Sequence, residues 1–200
     1  CIFIGASELT GTYGDIDYYE EMGEKEGHIP YTEDFFTSLS TIAARKIHAS
    51  SAQPFKVIAV DCDNTLWRGV VAEEGASGIT VGKPERELQE FLIEQSASGM
   101  LVCLCSKNRK EDVFEVFEKN DGMVLRKEHL SFNRINWNPK SANLYELAGE
   151  INIGIDSFIF IDDSPMECAE VRNNAPEVLV LQVPEGGFNK EDLKNSWIFD

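Results

Sequence analysis

The chain lacks several features that would place it in common function classes. No apolar run approaches the roughly 18 residues needed to cross a bilayer, so the sequence predicts no membrane span. Positive charge is scarce: 18 Lys and Arg residues stand against 35 Asp and Glu residues, a formal net charge of −17. Nucleic acids and anionic membranes attract basic surfaces, so this balance argues against both as partners.

Cysteine is infrequent, and its pattern indicates neither disulfides nor a zinc site. The number of cysteines is odd, and no two have zinc-ligand spacing with suitable neighbours. The sequence therefore predicts a reducing, cytoplasmic setting. Residue 1 is Cys rather than Met, and we expect a segment of a larger multidomain chain rather than a lipid-bearing N-terminus. The five cysteines are Cys1, Cys62, Cys103, Cys105 and Cys168.

The first part of the chain differs in pattern from the rest. Residues 1–53 are predicted to form an N-terminal extension packed on or near a core formed by residues 54–200. Within the extension, apolar spacing predicts a helix over residues 33–48, capped by Thr32. Residues 50–54, which are rich in Ser and end in Pro, are expected to be a connector.

Strand and helix patterns alternate from Phe55 onward. The strand candidates are short continuous apolar runs, which are typical of a parallel sheet buried on both faces. They are Lys56–Val60, Met100–Cys105, Ser157–Ile161 and Glu177–Leu181. This alternation predicts an α/β domain with a mainly parallel sheet and right-handed crossovers.

Local signals mark where the helices between these strands begin. One helix is expected from Pro84 and another after Asn108. Asn138-Pro139 predicts an N-cap followed by Pro at the first helical position. Ser164-Pro165-Met166-Glu167 predicts a capping box, with Pro165 at the first position.

Polar residues follow the predicted strands at the edge where parallel strands present their carboxyl ends. Ligands of such sheets bind at this edge, so the convergence predicts a functional site. Lys140 joins the group from the start of a predicted helix. The strand-end residues are Asp61, Asp63, Asn64 and Thr65 after the first strand, Ser106, Lys107 and Asn108 after the second, and Asp162 and Asp163 after the third.

The acidic members of this group are suited to a magnesium ion. At a turning strand end, Asp61 and Asp63 can offer one carboxylate and one backbone carbonyl, and Asp162 adds a carboxylate. Lys140 would offset the remaining negative charge, and Ser106 could donate to phosphate oxygens. Each residue alone has a simpler structural explanation, such as a helix cap or a surface lysine. Together they indicate Mg²⁺-dependent phosphoryl chemistry.

The same residues resemble the four motifs of the haloacid dehalogenase (HAD) superfamily. The Asp-x-Asp-x-Thr motif is matched by Asp61 to Thr65, and Ser106, Lys140 and the pair Asp162-Asp163 match the other three. The resemblance implies a three-layer Rossmann-like core. Since residues 66–83 are too few for a separate lid domain, it also implies a minimal cap.

A narrower resemblance, to the FkbH-like subfamily, extends over most of the chain. It rests on Gly27–Thr32, Asp61–Val70, Leu104–Asn108, Ile135–Trp137 with Pro139–Asn143, and Trp197. Members are often embedded in polyketide or mixed peptide–polyketide synthases. The resemblance implies that a glyceryl unit is taken from 1,3-bisphosphoglycerate, a phosphorylated three-carbon substrate. This unit is then dephosphorylated and loaded onto an acyl carrier protein that bears phosphopantetheine.

The resemblance also implies roles for individual residues. Asp61 would be the nucleophile, Asp63 the general acid and base, and Lys140 and Ser106 would stabilise the transferring phosphoryl group. Asp61, Asp63 and Asp162 would hold the metal, with Asp163 supporting them. The implied substrate-binding residues are Thr65, Arg68, Lys107 and Asn108.

Cys62 is a candidate acyl carrier, because a thiolate attacks an acyl phosphate well. Strand alternation nevertheless directs Cys62 away from Asp61 and Asp63, where it would only pack. Relatives often carry a further cysteine after the Trp-x-Gly-Val segment, where this chain has Val71 and Ala72. Three hypotheses therefore stay open: a glyceryl-loading domain, a phosphatase of small phosphoesters or phosphoproteins, and a non-catalytic interaction domain.

Overall fold

The structure, a computed structural model, describes residues 4–14 and 17–199. Cys1 lies outside these residues. Within them, none of the helices is both long and apolar enough to cross a membrane.

The described residues group into two units. The first unit consists of the described residues up to Pro54 together with those from Asn195. The second unit is Phe55–Lys194. The division after residue 53 stays a prediction, and we note only that residues 195–199 are grouped with the first part of the chain.

The first unit is helical. Its helices are α1 (Ala6–Tyr13), α2 (Glu21–Gly27) and α3 (Glu33–Ser51). Thr32 caps α3 as predicted, since its side chain accepts a hydrogen bond from the backbone N–H of Phe35 at 3.2 Å. The connector predicted at residues 50–54 is partly wrong, because α3 continues to Ser51. The Ser50 hydroxyl donates to the carbonyl of Ile47 at 2.8 Å, which satisfies an acceptor in the last turn.

The second unit is built around a five-stranded, fully parallel sheet with strand order β3-β2-β1-β4-β5. Its elements in chain order are β1 (Val57–Val60), α4 (Val71–Gly78), α5 (Lys83–Ala97), β2 (Leu101–Ser106), α6 (Lys110–Lys119), β3 (Phe132–Ile135), α7 (Lys140–Ile151), β4 (Phe158–Asp162), α8 (Pro165–Asn174), β5 (Leu179–Gln182) and α9 (Lys190–Lys194). The predicted α/β class is confirmed. The four predicted strands correspond to β1, β2, β4 and β5, and β3 is an addition.

Alternating strand residues bury the two faces of the sheet against different helices. Val57, Ala59 and Phe160 share a fully buried cluster with Leu144 of α7 and Val171 of α8. The alternate residues of the strands, such as Ile58 of β1 and Val102 of β2, are also fully buried and point to the opposite face. α5 contacts β2, and its Leu88, Phe91 and Leu92 are buried. The result is a three-layer arrangement of helices, sheet and helices. β2 and β3 extend the sheet on one side of β1, and β4 and β5 then extend it on the other side.

Two helix starts differ from their sequence signals. Pro139 is itself the N-cap of α7, so Lys140 rather than Pro139 is the first helical residue. Pro165 does begin α8, and Ser164 accepts a hydrogen bond from the N–H of Glu167 at 3.4 Å. The predicted capping box is only half formed, because the Glu167 carboxylate binds Lys107 instead.

Residues 66–82 between β1 and α5 contain α4 and a short backbone bridge, in which Arg68 pairs with Thr80. This segment is anchored by the fully buried Gln89 of α5. The Gln89 amide donates to the carbonyl of Leu66 at 2.7 Å, and its oxygen accepts from the N–H groups of Val124 and Leu125 at 2.8 and 3.0 Å. One side chain therefore joins the segment after β1 to the segment after α6.

Replacing Gln89 with Met, which has a similar volume, should lower the free energy of unfolding by about 2–4 kcal/mol. The reason is that a buried backbone group left unpaired costs about 1–3 kcal/mol. Urea denaturation would measure the change. Gln95→Met on the same helix is the matched control and should stay within about 0.5 kcal/mol of the wild type. Equal stability of the two variants would contradict the anchoring role.

Candidate active site

A buried lysine lies where three neighbouring strands end. Lys140 is 1% exposed. Its ammonium donates to the Asp61 carboxylate, to Asp162 Oδ2 at 3.1 Å and to the carbonyl of Cys105 at 2.6 Å. Burial alone would lower the pKa of Lys140, but the negative charges beside it, Asp61 foremost, outweigh burial and raise it. Lys140 is therefore a permanent positive charge at the carboxyl ends of β1, β2 and β4.

The two acids after β4 have different environments. Asp162 is 1% exposed, and its Oδ1 accepts a hydrogen bond from the N–H of Ser164 at 2.8 Å. Burial and the charge of Asp61 raise the pKa of Asp162 to about 6. Asp163 is half-buried, and burial and Asp61 also raise its pKa. Thr65 fixes Asp163 by accepting from its backbone N–H at 3.1 Å.

Three carboxylates in this cleft could hold a cation together. Asp61, Asp162 and Asp163 each offer an oxygen, and these oxygens lie within 4.8 Å of one another. Burial first, and the charge of Asp61 second, raise the pKa of both Asp162 and Asp163, so a cation here would offset part of the cost of keeping all three acids ionised. Hard carboxylate oxygens with room for water and substrate are what Mg²⁺ requires, so this donor set fits magnesium.

Asp63 is held by groups outside this acidic cluster. Its Oδ1 accepts from the indole N–H of Trp67 at 2.9 Å and from the N–H of Val71 at 3.2 Å. Its Oδ2 accepts from the amide of Asn108 at 3.0 Å, and the same amide contacts Ser106 Oγ at 3.1 Å. Both oxygens of Asp63 are thus held in place by hydrogen bonds. The Asp63 carboxylate is not one of the three whose oxygens lie close enough together to hold one cation.

The structure brings eight of the predicted site residues into one cleft of about 250 Å³. Thr65 and Arg68 instead line an adjoining pocket. Lys107 lies in the cleft but forms an ion pair with Glu167 at 2.7 Å. The eight are Asp61, Asp63, Ser106, Lys107, Asn108, Lys140, Asp162 and Asp163.

Cys62 is fully buried, as the alternation of strand side chains suggested. Burial first, and the charge of Asp61 second, raise the pKa of its thiol well above the ordinary value. A thiol in this environment stays protonated and has no access to a bulky acyl donor. The arrangement therefore gives no support to a thioester on Cys62.

Sequence reasoning missed several residues of the site. Glu167 lines the cleft, and Trp67 binds Asp63 from a fully buried position. Asn64 adopts a left-handed backbone (φ 54°) and accepts a hydrogen bond from Gly69 N–H at 3.0 Å. The sequence places Asn64 among the polar strand-end residues, and it does line the cleft. Nothing local to Trp67 predicted its contact.

Solved structures share this architecture. The N-terminal part of BF1531 from Bacteroides fragilis, containing a phosphatase domain complexed with Mg, matches with a TM-score of 0.77 and 29% identity. The match covers 98% of this chain and 53% of that one, so this chain spans about half the length of the BF1531 structure.

Two more distant structures share the fold. The HAD family enzyme bt-2542 from Bacteroides thetaiotaomicron, in complex with magnesium and inorganic phosphate, has a TM-score of 0.52 and 12% identity, covering 67% of this chain and 96% of its own. A HAD-superfamily hydrolase from Ehrlichia chaffeensis has a TM-score of 0.51 and 10% identity, covering 72% of this chain and 97% of its own.

No protein-family model matches the chain, and a search of curated proteins finds no match. The FkbH-like assignment and an origin in a polyketide synthase stay predictions. The parallel sheet of the second unit, with Asp61, Lys140 and Asp162 at its carboxyl edge, shares its fold with the phosphatase domain of BF1531 and with the HAD family enzyme bt-2542.

Proposed function

We propose that this domain is a Mg²⁺-dependent phosphoryl-transfer enzyme with Asp61 as its nucleophile. One observation carries the proposal: the carboxylates of Asp61, Asp162 and Asp163 meet within 4.8 Å beside the buried ammonium of Lys140. A structural ion pair would need only one acid for one lysine. Three acids around one lysine leave negative charge that a divalent cation and its water ligands would offset.

The residues of the cleft divide the chemistry between them. Asp61 attacks phosphorus and forms an aspartyl-phosphate, while Asp63 gives a proton to the departing oxygen. Asp63 then takes a proton from the water that hydrolyses the aspartyl-phosphate. Lys140 and Ser106 stabilise negative charge on the transferring group. Mg²⁺, which the carboxylates of Asp61, Asp162 and Asp163 would hold, would neutralise charge on the phosphoryl oxygens.

The hydrogen bonds around Asp63 hold its side chain in one orientation. Trp67, Val71 and Asn108 fix both carboxylate oxygens, so that Asp63 keeps one orientation through both proton transfers. A general acid must lie within hydrogen-bond reach of the reacting oxygen, and such fixation keeps the required geometry.

The finer proposal is glyceryl transfer from 1,3-bisphosphoglycerate to the phosphopantetheine thiol of an acyl carrier protein. The motifs that resemble the FkbH-like subfamily support it. A short segment between β1 and α5, without room for a separate lid domain, also suits a macromolecular acceptor. With a net charge of −17, the chain offers little attraction to an acidic carrier, so we expect tethering in one polypeptide to provide the high local concentration.

Incubation with 1,3-bisphosphoglycerate and Mg²⁺, followed by intact-protein mass measurement, tests both levels of the proposal. A glyceryl adduct on a supplied carrier protein supports glyceryl transfer. Phosphate release without an adduct supports a plain phosphatase. Folded protein that gives neither product would contradict the enzymatic proposal and favour an interaction domain.

Replacing Cys62 with Ala should leave the yield of glyceryl carrier unchanged within about twofold, because a buried protonated thiol is a poor nucleophile. The same mass measurement detects the product. Cys103→Ala is the matched control, since Cys103 is equally buried on the neighbouring strand and its pKa is raised to about 12 by burial. Loss of product in Cys62→Ala alone would restore the thioester hypothesis.

A further inference from the structure

A second pocket, of about 590 Å³, adjoins the catalytic cleft. The two cavities share Asn64 and Asp163, so this pocket lies within reach of the remaining atoms of a ligand whose phosphate is in the cleft. The other walls are the start of α5, Arg68, the last residue of β5, Gln182, and the loop of residues 183–188 that follows it.

Arg68 is held in this pocket from several directions. Its backbone N–H donates to the carbonyl of Thr80 at 2.8 Å, and the Thr80 N–H donates back at 3.1 Å. Its guanidinium Nε donates to Glu85 Oε1 at 2.8 Å. Glu85 is only 8% exposed, and its other oxygen accepts from the Gly82 N–H at 2.8 Å. Both ends of the Glu85 carboxylate are thus engaged, so Glu85 is held in place and orients the Nε edge of the guanidinium.

The outer nitrogens of Arg68 are available to a ligand. In the part of the chain that the structure describes, no group accepts a hydrogen bond from Arg68 Nη1 or Nη2, and the side chain is 60% exposed. Two parallel N–H groups on a fixed guanidinium match the oxygens of a carboxylate or phosphate. Glu85 does not compete for these nitrogens, because its contact is with Nε.

The rest of the pocket suits a short organic chain. Pro84, Leu88, Val183 and Phe188 supply apolar surface. The loop approaches α5 closely at Gly187, where φ is +84° and an added Cβ would lie 2.3 Å from Pro84 Cβ. Only glycine allows this approach, so the wall formed by the loop depends on it.

We propose that Arg68 binds a second anionic group of the substrate, and that Glu85 is the positioning residue that orients it. The preferred substrates would be small phosphorylated compounds with a carboxylate or phosphate at the end opposite the transferred phosphoryl group. This inference rests on the proposed phosphoryl transfer, and it adds a selection rule based on the far end of the molecule.

The test compares D-3-phosphoglycerate with glycerol 3-phosphate, which have the same carbon skeleton but differ at the far end. With Mg²⁺, the wild-type domain should favour the carboxylate compound by about 10- to 100-fold in kcat/KM, as expected for one charge-assisted contact. Arg68→Met should reduce this ratio toward one. Glu85→Gln should reduce it partly, mainly through a higher KM for the carboxylate compound. Propane-1,3-diol bisphosphate against propyl phosphate tests a phosphate in the same place.

The control is Lys83→Met, which removes an exposed cation close to the pocket and should leave both ratios unchanged. Calorimetric binding of the two compounds separates this inference from the proposed function. A binding preference that Arg68→Met abolishes supports the pocket even if neither compound is hydrolysed, an outcome that would count only against catalysis. An absent preference in the wild type, or one that persists in Arg68→Met, would overturn the inference.

Discussion

Asp61→Asn should reduce Mg²⁺-dependent phosphate release from acetyl phosphate to the background level. The amide keeps the size of the side chain but cannot attack phosphorus or hold a cation as well. Removing one oxyanion-stabilising group already costs on the order of 3 kcal/mol in the barrier, roughly a hundredfold in rate, and removing the nucleophile should cost at least that.

Asp121→Asn is the matched control, because it makes the same chemical change at an exposed position of the same unit. Its rate should equal that of the wild type. Circular dichroism would establish that Asp61→Asn is folded, which we expect because Lys140 keeps its bonds to Asp162 and to the Cys105 carbonyl. If folded Asp61→Asn retained activity, the proposed mechanism would be wrong.

Lys140→Met should lower the free energy of unfolding without metal by about 3–5 kcal/mol, the usual cost of removing one member of a buried ion pair. The variant leaves Asp61 and Asp162 buried together with no compensating charge. Urea denaturation would measure the loss. Lys110→Met is the control, since Lys110 is the first residue of α6 just as Lys140 is of α7, but is exposed. It should stay within about 0.5 kcal/mol of the wild type.

Magnesium should raise the melting temperature of Lys140→Met by more than that of the wild type, because the cation would supply the charge that the variant lacks. Equal shifts, or none, would argue against a cation at these carboxylates. The double variant Asp61→Asn/Lys140→Met should be more stable than Lys140→Met alone, since one buried charge has been removed. If the decreases in the free energy of unfolding of the two single variants simply add in the double variant, these side chains are not coupled.

The strands that the sequence revealed are those with uninterrupted apolar runs. β1 and β4 are buried at every position, and β2 at every position but the first, because helices cover both faces of the sheet. β5 is a half-buried edge strand too, but its apolar run revealed it, whereas β3 was missed because it carries Asn133 and Arg134 within four residues. An edge strand can place polar side chains toward solvent, so its composition resembles that of a loop.

The acidic cluster could be predicted because its residues follow recognisable strands and topology then brings the strand ends together. The contacts that orient these residues could not be predicted from the sequence. Trp67 with Asp63, Lys107 with Glu167, and Gln89 with Leu66 depend on side-chain directions that no short pattern specifies. Glu167 illustrates the difficulty: its spacing from Ser164 predicted a capping box, yet a lysine from another strand end binds its carboxylate.

The ammonium of Lys140 touches groups that are far apart along the polypeptide, and Asp61 lies 79 positions away from it. Asp162, the last of the three partners, follows only at the end of β4. A ribosome must therefore release most of the domain before the acids can gather. Until then a nascent chain carries reactive residues but no assembled centre, so chemical competence appears only once the fold is nearly complete.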